Sequence, residues 1–588
     1  MWAFIRTFFA SLLALFVFII LFFVILAAIV SGLQKKDLTP VANKSVLKLT
    51  FDSPIHEREY NNPFEDIDLP ISSPGNLGLI EIKETLKVAK ADGNISGIYL
   101  NVTSLQAGIA TIEEIRKALI DFKTSGKFIY AYSEFYSEGA YYLASVADSI
   151  YLNPSGLMEF NGLESEITFF KGTLEKLDLK PEIFKVGSYK SAVEPLFLDK
   201  MSPASKEQTL SFLQSIQNTL YQNIAKSRKL SIEKLNLVSD SMLIRKPVDG
   251  VRYGLVDRVA YYDQVEEVIS KKLGLEAKKE ISFISYKKYS QKQNTDDEDH
   301  KDTSKNKIAV IIAQGEIQSG RGDEETIGSE KITEELRKAR KDENVKAIVL
   351  RINSPGGSSM ASDVMWREVF LANKEKPVIA SMGDVAASGG YYMAMGASKI
   401  VAQPNTITGS IGVFGILLNA QDFFKNKLGV TFDGVKTGKF ADIGTIARPL
   451  NEYEKKVIQK EVEDIYTDFV QKAADGRKRK YEEIEKVASG RVWTGEQAKQ
   501  IGLVDELGDF ERAVEIAATE AKLDKDYQIE YFPKQRDFFE RFMNDAGDNV
   551  ETLINSSSAT FALERTYRQI IKKYNGVQAR LPFDIKIR

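Results

Sequence analysis

The chain begins with a long apolar run. From Thr7 to Gln34 no charged residue occurs, and most positions are Phe, Leu, Ile, Val or Ala. The run exceeds the roughly 20 residues needed to cross a bilayer. It is also about twice the apolar core of roughly 7–15 residues found in a secretory signal peptide, which is the alternative interpretation. We therefore predict an uncleaved transmembrane helix over residues 1–34, although the basic residues flanking it do not decide its orientation.

Beyond this run, apolar segments with strand and helix patterns alternate. VKAIVLRI (345–352) is a β-branched apolar run typical of a buried strand, and ASDVMWREVFLANKE (361–375) has helical spacing. KPVIASM (376–382) predicts the next strand and SGGYYMAMGA (388–397) the next helix. Alternation of this kind favours parallel strands joined by crossover helices, so we expect an α/β fold.

The same pattern occurs twice along the chain. GIYLNVTSLQAG (97–108) aligns with AIVLRINSPGGS (347–358), and EGAYYLASVADSIYLNP (138–154) aligns with SGGYYMAMGASKIVAQP (388–404), both at an offset of 250 residues without a gap. Near the far ends, YGLVDRV matches IGLVDEL at an offset of 248 residues. Three matches at nearly constant offset indicate an internal duplication.

The duplication predicts how the chain is divided. A first repeat covers residues 45–280 and a second covers 307–545, with a polar linker over 281–306. Residues 546–588 form a C-terminal tail with basic residues but no motif that indicates a role.

Composition narrows the possible chemistry. The absence of cysteine excludes thiol catalysis, disulfides and thiolate metal sites. Only two histidines occur, His56 and His300, and no HExxH pair exists, so a zinc protease is excluded and catalysis must largely do without imidazole. We expect no metal and no cofactor. A net charge of −3 gives no indication of a nucleic-acid partner.

Two glycine-rich turns in the second repeat follow neighbouring strands. NSPGGS (353–358) and VAASGGYY (385–392) can lie at the same edge of a parallel sheet, which places Ser388 where a strand becomes a helix. Free N–H groups and the positive dipole end there suit a nucleophile whose attack creates an oxyanion. Either glycine motif alone is more simply explained as a tight turn with no catalytic role. However, the first repeat has Glu138 where the second has Ser388.

A serine nucleophile needs a base, and lysine is the next candidate after histidine. Lys190 in KVGSYKSAVEPL lies beside small and apolar residues, and the aligned position of the second repeat is Ala441. One repeat therefore lacks the serine and the other lacks the lysine. Burial would lower the pKa of the Lys190 amine, and we expect the nearby Glu194 to point away from it. For any single lysine, an ordinary surface position is the default alternative.

GSYKSAVEP, NSPGGS, AASGGYY, TGSIGVFG and GRVWTGEQAKQIGLVD resemble signal peptide peptidase A, also called protease IV, in its long, duplicated form. The resemblance implies tandem domains of the Clp protease and crotonase fold and a Ser388/Lys190 dyad. It implies Gly357 and Gly389 as oxyanion donors and Ser410 as a hydrogen-bond partner of the lysine amine. It further implies a homo-oligomer, a tetramer, at the bacterial inner membrane. There it would degrade signal peptides and other apolar peptides, with the catalytic domain on the periplasmic side.

Three alternatives stay open at this point. A crotonase-like acyl-CoA enzyme also uses glycines at strand ends as an oxyanion hole, but needs neither the serine–lysine pair nor an anchor. A membrane scaffold with an inactive protease fold is the second, and Ser388 and Lys190 argue against it. Ser410, which also lies in a glycine turn, is the alternative nucleophile.

Overall fold

The computed structural model describes residues 2, 4, 6–15, 17, 18, 21, 41–59, 76–276, 279–297, 304–323, 325–524, 526–534 and 577–581. Residues 6–15 form a helix, α1. None of the helices in these ranges combines the length and the apolar character needed to span a bilayer. Most of the predicted transmembrane helix, including residues 22–34, lies outside the described residues.

The first half of the chain builds a six-stranded sheet around one apolar core. Its strands follow the order β8-β6-β5-β4-β1-β9, and every pairing between neighbours is parallel. The strands are β1 (Ser45–Leu49), β4 (Ile95–Leu100), β5 (Phe128–Tyr136), β6 (Ser149–Met158), β8 (Arg258–Val259) and β9 (Phe283–Ser285), and a separate two-stranded sheet contains β2 (Ile55–His56) and β3 (Leu77–Gly78). The helices of this half are α2 (Leu79–Ala91), α3 (Ile109–Lys123), α4 (Glu138–Ala144), α5 (Lys171–Lys176), a 3₁₀ turn (Ser191–Val193), α6 (Glu194–Phe197), α7 (Pro203–Arg228), α8 (Ile232–Asp240), α9 (Pro247–Tyr253), α10 (Tyr262–Leu273) and α11 (Tyr286–Asp297).

The second half builds an eight-stranded sheet from strands and helices that follow a similar order. Its strands are β10 (Lys307–Gln314), β13 (Val345–Ser354), β15 (Val378–Ala387), β16 (Lys399–Ala402), β17 (Ile407–Gly409), β19 (Val492–Thr494), β20 (Glu506–Leu507) and β21 (Gln528–Phe532). The helices are α12 (Ser329–Lys341), α13 (Ser359–Glu375), α14 (Gly389–Ala394), α15 (Gln421–Phe423), a π turn (Phe424–Leu428), α16 (Glu452–Arg477), α17 (Tyr481–Glu485), α18 (Gly495–Gln500) and α19 (Phe510–Glu520).

Strand order and register show the same duplication. β4 pairs with β5 in parallel, with Gly97 opposite Phe128, and β13 pairs with β15 in parallel, with Ile348 opposite Val378. The predicted alternation of strands and helices in the second repeat is therefore confirmed. The β-branched residues of these strands are enclosed on both faces, as expected for parallel sheets covered by helices.

A third sheet joins the two halves. Its six strands follow the order β12-β11-β14-β22-β18-β7, where the strands are β12 (Thr326–Gly328), β11 (Glu316–Gln318), β14 (Gly356–Ser358), β22 (Val577–Arg580), β18 (Val413–Asn419) and β7 (Lys180–Val186). β7 comes from the first half and runs antiparallel to β18 from the second, with Val186 opposite Val413 and Lys180 opposite Asn419. This pairing places the segment that follows β7 against the second half of the chain.

Two segments outside the predicted repeats contribute strands. β9 lies within the stretch that the sequence analysis assigned to the linker over 281–306, and it pairs with β1. β22 lies within the stretch assigned to the tail over 546–588, and it pairs with β14 and β18. A three- or four-residue strand has too few positions to show a clear alternation of polar and apolar residues.

A buried ionic cluster also connects the halves. Arg351 on β13 donates to Glu57 and to Glu114, both from the first half, at 2.8 Å in each case. All three side chains are about 1% exposed. Nearby, the backbone N–H of Thr111 donates to Asp384 at 2.8 Å. Because these charged side chains are buried away from water, the stability of each depends on its oppositely charged partner in the other half of the chain.

Arg351→Met should destabilise the protein by about 3–5 kcal/mol, because it leaves the buried Glu57 and Glu114 carboxylates without their arginine. The measurement is the midpoint of denaturant unfolding followed by circular dichroism. Arg512→Met is the matched control: Arg512 pairs with Glu506 on the surface, and we expect no measurable shift there. Equal midpoints for the two variants would contradict the structural role of the buried cluster.

Candidate active site

Ser388 lies at the junction between β15 and α14, as the glycine turn indicates. It is the N-cap residue of α14 and has a φ of 54°. Its N–H donates to Gly409 O at 2.8 Å, and its carbonyl accepts from Tyr392 N at 2.8 Å. A positive φ is unusual for a residue other than glycine and is often found where a functional side chain is held in a strained turn. The backbone therefore fixes the direction in which the Ser388 side chain points.

Lys190 reaches Ser388 from the other half of the chain. It lies in the loop after β7, and its Nζ is 2.8 Å from Ser388 Oγ. The same nitrogen lies 3.1 Å from Ser410 Oγ and 3.2 Å from Ser410 O. The structure thus brings together three of the predicted site residues, although two of them are 198 positions apart in the sequence.

The amine of Lys190 lies in a dry environment. Its side chain is 0% exposed, and the Phe414 ring lies 6.0 Å from Nζ. Burial holds the pKa of the Lys190 amine well below its usual value. Glu194, the acidic neighbour in sequence, instead accepts hydrogen bonds from the backbone N–H and hydroxyl of Ser202. Burial therefore shifts the Lys190 amine toward its neutral form.

The loop that carries Lys190 packs on glycines of the second half. A Cβ built on Gly490, whose φ is +78°, would lie 2.6 Å from Lys190 Cβ, and one on Gly412 would lie 3.3 Å from Lys190 Cδ. Gln208 on α7 donates to Tyr189 O at 2.9 Å and accepts from Val492 N at 3.2 Å. Gly490 lies in the motif GRVWTGEQAKQIGLVD and Gly412 in the motif TGSIGVFG, but neither glycine had an assigned role, and Gln208 was not predicted.

The two glycine turns meet beside Ser388. A Cβ on Gly356, whose φ is +98°, would lie 2.7 Å from Gly389 N, and one on Gly357 would lie 2.1 Å from Ile317 O. Any side chain at either position would therefore collide with backbone. The absence of side chains leaves room for a substrate carbonyl next to the N–H groups of these turns.

The equivalent place in the first half contains a carboxyl group. Glu138 begins α4 and accepts from Gly162 N at 3.0 Å, Asn161 N at 3.3 Å and Tyr221 Oη at 3.3 Å. Burial raises the pKa of Glu138 to about 7, although these hydrogen bonds oppose the shift. This side chain fills the position that a nucleophile would need, so only the second half presents a serine.

Comparison with known proteins gives matches to the same two halves. The model for Peptidase family S49 matches residues 121–276 and 371–524. A Salmonella typhi protein named Protease 4 is 38% identical over 487 residues, which is 81% of this chain and 77% of that protein. A putative signal peptide peptidase SppA of Enterococcus faecium is 34% identical over 248 residues, covering 41% of this chain and 72% of its own.

One solved structure bears on the expected Clp-like fold. A point mutant of ClpP1 from Listeria monocytogenes is 18% identical, covers 35% of this chain and 94% of its own, and has a TM-score of 0.24. A score this low carries no argument about the fold, so the relation to the Clp protease and crotonase folds stays a prediction.

The chain has a tandem α/β fold, and each half matches the peptidase family model. The class of this protein is therefore a serine protease. The chain belongs to peptidase family S49. The predicted duplication and the resemblance to signal peptide peptidase A, or protease IV, are confirmed. Membership of a peptidase family decides against a crotonase-like acyl-CoA enzyme and against an inactive scaffold.

Gly490→Ala should lower peptide hydrolysis by about 100-fold, because a displacement of about 1 Å in a reacting group costs that much. The added methyl group would strike Lys190 Cβ at a φ that alanine rarely adopts. Gly93→Ala is the matched control, since a Cβ there meets nothing within 4 Å. The measurement is kcat/KM for a peptide substrate, with circular dichroism to verify folding. Similar rates for the two variants would contradict the packing argument.

Proposed function

We propose that Ser388 is the nucleophile of this protease and Lys190 its general base. The observation that carries the proposal is the 2.8 Å contact between a fully buried amine and the Ser388 hydroxyl. A neutral amine has two N–H groups and one lone pair. Ser410 offers two acceptors, its Oγ and its carbonyl, to the N–H groups. The lone pair is then directed at the Ser388 hydroxyl, which is the arrangement that proton abstraction needs.

The glycine turns complete the proposed chemistry. As Ser388 Oγ attacks a peptide carbonyl, its proton passes to Lys190 and negative charge develops on the carbonyl oxygen. The backbone N–H groups of Gly357 and Gly389 are the proposed donors to that oxyanion. The protonated amine then gives its proton to the leaving amine, and water hydrolyses the acyl ester in a second step. No metal or cofactor has a part in this scheme.

For substrate and location, we propose that the enzyme degrades signal peptides and other apolar peptides at the bacterial inner membrane. Two observations support this: the uncharged apolar run from Thr7 to Gln34, and the relative named as a putative signal peptide peptidase. In this scheme residues 1–34 are a single-pass anchor, and the catalytic domain faces the periplasm.

We further propose that the chain forms a homo-oligomer, with a tetramer expected from the family resemblance. The loop after α15 exposes several apolar side chains, namely Leu428, Val430, Phe432, Val435 and Ile443. Apolar side chains grouped on one exposed loop favour a contact with another protein surface. A second copy of the chain is the proposed partner.

Ser388→Ala should reduce peptide hydrolysis by at least about 10⁴-fold and abolish labelling by a fluorophosphonate, because the nucleophile is lost. Ser410→Ala tests the alternative nucleophile. It should keep labelling and lose only about 10–100-fold in kcat, as expected for a lost hydrogen bond of about 1–3 kcal/mol. Loss of labelling in Ser410→Ala combined with normal labelling in Ser388→Ala would assign the nucleophile to Ser410.

The pH profile should report the Lys190 amine. Burial lowers its pKa, so activity should rise as the pH passes upward through that lowered pKa and fall as acid protonates the amine. Lys190→Arg should be inactive throughout, since guanidinium remains protonated. The measurement is kcat/KM from acid to alkaline pH. A flat wild-type profile or an active arginine variant would remove lysine as the base.

The anchor is tested by deleting residues 1–34. We expect the full chain to sediment with membranes and the shortened chain to be soluble and active, because the site contacts described above all lie beyond residue 40. A shortened chain that still sediments with membranes, or has no activity, would contradict the proposed role of this segment.

A further inference from the structure

A buried glutamine binds both sides of the loop that carries Lys190 (residues 187–191, the Lys190 loop). Gln208 lies on α7, the long helix that follows this loop, and is 0% exposed. Its amide nitrogen donates to Tyr189 O at 2.9 Å and to Ser191 Oγ at 3.1 Å. These two residues flank the lysine in the sequence. One amide group therefore holds the loop immediately before and immediately after the proposed base.

The oxygen of the same amide binds the second half of the chain. Gln208 Oε1 accepts from Val492 N at 3.2 Å. Val492 lies on β19, opposite Gly409 on β17. The Gly409 carbonyl in turn accepts the Ser388 N–H at 2.8 Å, and the residue after Gly409 is Ser410. Hydrogen bonds and strand pairing therefore connect the Lys190 loop, through Gln208, to both serines of the site.

Two further polar residues of α7 bind the second half at other points. Ser215 Oγ lies 2.8 Å from Thr494 Oγ1 on β19, and Ser211 Oγ accepts from Gln497 Nε2 on α18 at 3.1 Å. Both serines lie on the same face of the helix as Gln208, because the three positions are separated by three and four residues. Gln208 differs from them in that its bonds also reach the Lys190 loop.

The helix equivalent to α7 in the second half has valine in place of this glutamine. α7 and α16 are both 26 residues long, and Gln208 and Val457 occupy the sixth position of each. Val457 is 43% exposed. A glutamine that served only the folding of this helix would be expected in both repeats. It occurs in the half that supplies Lys190, which links its role to the lysine.

Charged and titratable side chains around the Lys190 loop are engaged with other groups. The Arg491 guanidinium lies over the Tyr189 ring at 4.7 Å and bonds to Glu207 at 2.7 Å. Glu194 is bound away from the amine, as described above, and the Tyr466 hydroxyl accepts a backbone N–H. Burial is therefore the cause of the lowered pKa of the lysine amine, and access of water to the loop would raise that pKa again.

We propose that Gln208 is a positioning residue for the base: its amide holds the Lys190 loop closed against β19, so that the amine stays dry and within reach of the Ser388 hydroxyl. The inference rests on the proposed roles of Ser388 and Lys190. Without the amide, the three buried groups that it binds would each lose a hydrogen bond, and water would enter to satisfy them. The loosened loop would then hold the amine less closely to the hydroxyl, and the amine would keep its proton to a higher pH.

The test is the pH dependence of kcat and KM for hydrolysis of a quenched apolar peptide by the full chain. Gln208→Met keeps most of the side-chain volume but loses the amide. Its kcat at neutral pH should fall about 10–100-fold with little change in KM, because the base is displaced from the hydroxyl. The acid limb of its profile should move upward by about one pH unit or more, because water weakens the effect of burial. Part of the lost rate should therefore return at alkaline pH.

A second variant and a matched control bracket this result. Ser191→Ala removes one acceptor of the same amide from the loop side, and should move the acid limb in the same direction by a smaller amount. Ser215→Ala is the control, since it also removes a hydrogen bond between α7 and the second half, but one made to Thr494. It should keep the wild-type acid limb and KM. Circular dichroism verifies the folding of each variant.

The outcomes separate this inference from the proposed function. If the wild type has an acid limb that Gln208→Met and Ser191→Ala both leave in place, the inference is overturned and the proposed dyad stands. An equal shift in Ser215→Ala would also overturn it, because any loosened contact of α7 would then have the same effect. Should Gln208→Met fail to fold, the limb of Ser191→Ala decides. A flat wild-type profile would overturn the role of Lys190 and this inference with it.

Discussion

The contact between the Lys190 amine and the Ser388 hydroxyl depends on the removal of water from one nitrogen. A lysine in water is protonated and cannot accept a proton, so the proposed role of Lys190 as base requires a buried amine with carboxylates held away from it. The structure does both: the side chain is 0% exposed, and Glu194 is bound to Ser202 instead. Burying an amine opposes folding. The surrounding packing must offset that cost, and it comes from both halves of the chain.

The proposed dyad requires both halves of the duplicated chain. β7 of the first half pairs with β18 of the second half, and this pairing places Lys190 against the second half. At another point between the halves, the buried ion pair between Arg351 and Glu57 holds them together. In the first half, Glu138 occupies the position equivalent to Ser388, so the proposed nucleophile comes from the second half. The site therefore exists only where the halves meet, and any change in their relative position alters the distance between amine and hydroxyl.

Sequence reasoning predicted the parts of this arrangement that have local signals. The β-branched runs of β13 and β15 identified parallel strands, and the constant offset between repeats singled out Ser388 and Lys190 as residues that only one repeat retains. The third sheet had no such signal, because it joins short segments of both halves with the C-terminal region. Gln208 was missed for a related reason, since a buried glutamine is recognised by its partners in space and not by its neighbours in sequence.

The slot between β14 and β18, which β22 fills in this structure, would also constrain which peptides the proposed site accepts. Edges of this kind bind backbone N–H and C=O groups, so they select an extended conformation more strongly than a particular sequence. A peptide that is helical in a bilayer has those groups already paired, and must unwind before it can pair with the slot. Cleavage of signal peptides by the proposed dyad therefore requires that the segment leave the apolar phase at least locally.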